Sequence, residues 1–184
     1  MKQELKEVLA AFAASILETY DLSFIPTDLK FLDAAATAKR LGGTAVMYEY
    51  PIEVSVCRNG DSFIAFIPEE KEKYQQAKRM AEAAAILFLK MEYQSNQETF
   101  EKLKDLEKIT EKTKMGERKT LYEELEFVKN ELLLPRHRLR DLVETYADEN
   151  QCIRIADLSR ELGFPYNFIE MRLIETGMIR TQWN

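Results

Sequence analysis

Residues 44–67 decide which fold class the chain can enter. They are the only part of the sequence rich in β-branched and aromatic side chains, in three runs: Thr44–Tyr50, Ile52–Cys57 and Ser62–Ile67. Arg58-Asn59-Gly60-Asp61 separates the last two runs. An Asn-Gly pair between strand formers favours a tight hairpin, because both residues tolerate positive φ. Three short strands cannot cover their own hydrophobic face, so the sheet needs helices against it.

Both flanks supply helices. From Lys2 to about Tyr20, apolar residues recur at Leu5, Val8, Leu9, Phe12, Ile16 and Leu17, close to the helical period. Asp21 to Pro26 interrupts that pattern. Thr27-Asp28 is a cap for a second helix running through Phe31 and Ala35 to Leu41, with Gly42-Gly43 as the stop. After the strands, Glu69 to about Tyr93 predicts a long helix with an alanine run at its centre. Thr99–Thr113 is highly charged, with Phe100, Leu103, Leu106 and Ile109 as a narrow apolar stripe, and Met115-Gly116 closes it. Tyr122–Leu134 predicts a helix stopped by Pro135. Shorter helices are expected at Arg136–Tyr146, Ile155–Leu162 and Pro165–Glu175, with Gly163 and Gly177 as stops. The expectation is an α+β fold. A small, mostly antiparallel three-stranded sheet packs on a long helix, and a helical C-terminal half follows. Residues 1–135 are read as the core and 136–184 as a helical subdomain with helix-turn-helix proportions.

Composition narrows the function classes. The chain of 184 residues carries a net charge of −6, which argues against a broad nucleic-acid footprint. Its two cysteines, Cys57 and Cys152, have no metal-ligand spacing and read as reduced thiols. The N-terminus lacks a basic segment followed by an apolar core, and no run approaches the roughly 18 apolar residues of a membrane span. A cytoplasmic protein without membrane association is expected. His137, the only histidine, stands in Pro135-Arg136-His137-Arg138-Leu139-Arg140. That cluster reads as a solvated helix start, with an anion or partner contact as the sharper alternative. The helix from Pro165 holds two glutamates and one arginine, too few donors for phosphates and base edges. It suits packing or protein docking better than reading DNA.

The order helix, helix, small sheet, long helix and later helix ending in leucines and proline resembles the ImmA/IrrE family of zinc-dependent metallopeptidases. The later helix carries the most specific match. Glu124-Leu125-Glu126-Phe127-Val128-Lys129-Asn130-Glu131-Leu132-Leu133-Leu134-Pro135 resembles the family's E-A-N-x-F-A-x-x-L-L-M-P pattern, departing from it at Leu125 and Glu126. The segment from Ile155 to Met178 is similar to the tail of these proteins. The resemblance spans roughly residues 5 to 180. It implies a zincin-like core, Glu124 at the third metal-ligand position, and repressor proteins as the partners.

The resemblance also exposes a defect. The family's HExxH places two imidazoles one turn apart on one helix face, with the intervening Glu as base. That frame puts Ala81 and Ala85 at the histidine positions and Glu82 at the base. Alanine offers no ligand atom, and catalytic zinc takes about three protein ligands plus a water. Without the ion, bound water is not acidified toward a pKa of about 7, and Glu82 has nothing activated to deprotonate. A frame shifted by three residues sets Ala84 and Phe88 at the ligand positions and is no better. No cofactor is expected; zinc is expected only if histidines are restored.

Several readings stay open. The first is a pseudopeptidase of bacterial or phage origin that binds a helix-turn-helix repressor and acts as an antirepressor by sequestration. A partner peptide could then add a strand beside Glu82 and Glu124. The second is a metallopeptidase that cleaves a repressor, seen as an inactive His-to-Ala variant. A helical interaction module without peptidase ancestry and a DNA-binding regulator complete the set.

Overall fold

The strand-rich runs form β1 (Thr44–Tyr48), β2 (Ser55–Asn59) and β3 (Ser62–Pro68), in the spatial order β1-β3-β2. The computed structural model describes residues 1–49, 53–91, 117–148 and 153–179. β3 is apolar at nearly every position and takes the centre, with Phe63, Ala65 and Ile67 buried on one face. β2 returns antiparallel to it, with Val56 opposite Ala65 and Asn59 opposite Ser62. The hairpin loop is therefore Gly60-Asp61, one residue beyond the expected Asn-Gly pair. Gly60 alone takes positive φ, at +61°, the pattern of a turn with glycine in its first central position. β1 runs parallel to β3, with Thr44 opposite Ile64. The sheet is thus mixed, with one pairing of each sense where mostly antiparallel pairing was expected. The reason is that β2 skips one place and the hairpin then returns β3 into the gap.

α1 (Gln3–Thr19) ends before an irregular passage in which Leu22, Phe24 and Ile25 are buried. The second helix starts later than Thr27-Asp28 suggests. The Asp28 carboxylate accepts from the Lys30 N–H at 2.9 Å in a local turn. Asp33 is the cap instead: its Oδ1 accepts from the Ala36 N–H at 2.7 Å and opens α2 (Ala34–Arg40). Both aspartates are good caps by type; Phe31 bridges to Ser23 in extended backbone between them, and a helix opened at Asp33 buries Ala34, Thr37 and Ala38.

The remaining elements are α3 (Lys73–Lys90), α4 (Glu117–Leu133), α5 (Arg136–Tyr146), α6 (Ile155–Leu162) and α7 (Tyr166–Glu175). α3 packs against β2 and β3 on one side and against α4 on another, and α4 also meets α1. Phe88 of α3 anchors α1, with its ring edge-on to Phe12 at 6.3 Å and against Tyr20 at 5.7 Å. Leu139, Leu158, Ile169 and Leu173 from the C-terminal half join the same buried cluster as Phe12, Phe88 and Leu132. Gly163, in the left-handed region at φ +69°, ends α6 and turns the chain into α7. The charged stretch Thr99–Thr113, Met115-Gly116 and Cys152 lie outside the described residues.

Candidate functional site

Four positions of α3 set the geometry. Residues 74, 78, 81 and 85 are spaced so that they form one row along the helix. At the N-terminal end of the row, Tyr74 and Lys78 open onto a groove. Its other walls are Glu126, Lys129 and Asn130 of α4, and Asn167, Phe168 and Met171 of α7. At the other end the row is closed. Ala81 is 0% exposed and Ala85 is 1% exposed. Their neighbours Ala83 and Ala84, with Met80 and Leu87, turn toward α2 and β3 and pack there. Burial also pushes the Tyr74 phenol above its ordinary range.

The residues singled out in the sequence are distributed unevenly around this row. Ala81 and Ala85 are core residues. Glu82 sits on the flank of α3, partly exposed, with its Oε2 3.6 Å from Arg79 Nη1. Arg79 Nε in turn donates to Glu70 Oε1 at 2.9 Å, so Glu82 belongs to a surface chain of charges. Glu124 is half-buried on α4. At 3.6 residues per turn it lies about 200° around that helix from Glu126, which is the α4 carboxylate in the groove. The structure packs α3 on α4 but gives the groove neither Glu82 nor Glu124. His137, Arg138 and Arg140 are exposed on α5.

Zinc does not fit this arrangement. Two of the three ligand positions that the resemblance implies are alanines sealed in the core, and a tetrahedral site needs nitrogen, sulfur or oxygen donors there. Among the described residues, no three His, Cys, Asp or Glu side chains gather closely enough to hold a metal ion. The shifted frame fares no better, since Ala84 and Phe88 are equally buried.

Two charged features escaped the sequence reading. The first is Lys129, whose side chain is only 7% exposed and whose Nζ donates to both carboxylate oxygens of Glu126. The second is a buried ion network that ties the C-terminal half to α4. Glu131, 2% exposed, accepts from Arg136 through its Nε at 3.2 Å, its Nη2 at 3.1 Å and its backbone N–H at 3.1 Å. Arg172 of α7, 0% exposed, places Nη2 2.9 Å from Glu131 Oε1. The same Nη2 donates to the Leu134 carbonyl at 2.8 Å, and Nη1 to Glu175 at 2.6 Å. The Arg136 guanidinium also lies 5.5 Å from the centre of the Phe127 ring. Lys129-Asn130-Glu131 interrupts an apolar helix end, and that was the available signal. Arg172 stands too far along the chain for any local spacing to pair it with Glu131.

This network bears on nucleic acid. Arg172 is the only Lys or Arg of α7, and its guanidinium is buried, with both Nη atoms paired in the core and Nε without a partner, rather than free for a phosphate. What α7 exposes instead is Tyr166, Met171 and Ile174, residue types suited to protein contact. Among the described residues, no helix is long and apolar enough to cross a membrane. Comparison with protein-family models, curated proteins and solved structures gave no match.

Proposed function

We propose that this chain is a non-catalytic regulator that binds a helix-turn-helix repressor and acts as an antirepressor by sequestering it. The observation that carries the non-catalytic part is the complete burial of Ala81 and Ala85 on the α3 face. A face that had lost two histidines by substitution would leave a void or a cleft beside them. Here neighbouring side chains seal both positions from solvent, and side chains of histidine size would have to displace those neighbours. This favours a natural pseudopeptidase over an inactive His-to-Ala variant. The binding part rests on the exposed Tyr166, Met171 and Ile174 of α7 and on the engagement of Arg172, which leaves that helix without a cation for DNA. The repressor as partner class comes from the resemblance to the ImmA/IrrE family.

The test mixes the purified chain with the repressor encoded beside its gene. Size-exclusion chromatography with intact-mass detection should give a complex in which both chains keep full length. Operator DNA should be released as the complex forms. Repressor fragments would favour the peptidase reading, and a mobility shift of DNA by this chain alone would favour the DNA-binding one.

A further inference from the structure

We infer that the groove between α3, α4 and α7 takes an acidic side chain, an Asp or Glu carboxylate that a protein partner presents between apolar neighbours. The inference rests on the binding role proposed above and adds the chemistry that the partner must carry.

The groove holds two cations, Lys78 and Lys129, against one carboxylate, Glu126. It is thus a local positive excess on a chain whose net charge is −6. Lys78 makes no ion pair among the described residues. Lys129 is paired only with Glu126, whose own side chain is partly in water. Asn130, at 9% exposure, lines the groove as a further polar group. An added carboxylate neutralises the excess charge and accepts from Lys78 and Lys129, with the Asn130 amide beside them as a further donor. Asn167 stands on the opposite wall as a further donor.

Charge number selects a carboxylate over a phosphate. A dianion would overshoot the single excess charge and meet Glu126 at close range, and the groove has no guanidinium fork to offset that. The apolar rim selects a protein as its carrier. Phe168 and Met171 flank the polar floor, and Tyr166 continues the exposed face of α7. Methionine and aromatic side chains adapt well to apolar partner residues.

The experiment uses the full chain labelled at its methionine methyls and side-chain amides, titrated in separate arms. The probes are acetyl-Leu-Glu-Leu-amide, acetyl-Leu-Gln-Leu-amide and inorganic phosphate. The Glu peptide should shift the Met171 methyl and the Asn130 and Asn167 amides. The Gln peptide should bind about threefold to fivefold more weakly, as expected for losing a partly exposed ion pair. Lys78→Gln should abolish that difference while leaving the methyl spectrum of the free protein dispersed. Equal binding of the two peptides, shifts elsewhere, matching shifts from phosphate, or no shift from any probe at millimolar concentration would each overturn the inference. The repressor complex separates this result from the wider reading. A complex indifferent to Lys78→Gln and Lys129→Met removes the groove and leaves the regulator. A Glu peptide that binds without any repressor complex does the reverse.

Discussion

Tyr74 and Lys78 stand on the same row of α3 as Ala81 and Ala85, yet the two ends of that row meet opposite surroundings. At one end the helix faces polar side chains of α4 and α7 across a groove. At the other it is packed dry, with alanines that expose essentially nothing. One pair of helices therefore supports two kinds of contact, and side-chain size decides which. Alanine lets the helices close, whereas Tyr74, Lys78 and Lys129 hold space between them. The lesson concerns where to look for function. The end that resembles a peptidase is the end with no chemistry left, and the groove at the other end keeps charges that packing alone does not require.

The largest expected effect removes the wall that makes the ends different. Glu131→Leu leaves the buried Arg172 with only the partly exposed Glu175 as counter-charge, removes the carboxylate that Arg136 also binds, and should cost about 3 kcal/mol of stability in urea unfolding. Because Arg172 fixes α7 to α4, the groove signals of Met171 and Asn167 should collapse together. Glu131→Leu with Arg172→Met should recover a large part of the loss, since both buried charges are then gone.

Next comes a direct comparison along the row. Ala81→Leu should overpack the closed end and cost about 1–3 kcal/mol. Lys78→Leu, one turn away, should change stability by about 0.5 kcal/mol or less, because its side chain borders open space. Equal costs at the two positions would erase the distinction between the ends. The smallest effect belongs to Lys129→Met. Glu126 can rehydrate, so unfolding should shift by about 1 kcal/mol at most, while the preference for a Glu peptide over its Gln counterpart disappears.

Much of the architecture was legible because it is local. The strand runs, the glycine stops, Pro135 and the apolar periodicity of α1 placed most elements within a few residues. What sequence could not show was decided by contacts between distant segments. The parallel pairing of β1 with β3 depends on which strand takes the centre, and the choice of Asp33 over Asp28 goes with the bridge of Phe31 to Ser23 and the burial of Ala34, Thr37 and Ala38. The groove was not legible: sequence drew attention to Ala81 and Ala85 through a resemblance, whereas Lys129 looked like any lysine on a charged helix until α3 and α7 closed around it.

The central claim is that Ala81 and Ala85 are packing residues and not a vacated metal site. Isothermal titration of zinc into the Ala81→His/Ala85→His variant, beside its thermal unfolding, tests it most directly. The account predicts a melting temperature below that of the parent chain and no saturable zinc uptake. Stoichiometric, tight zinc binding by a variant as stable as its parent would contradict it.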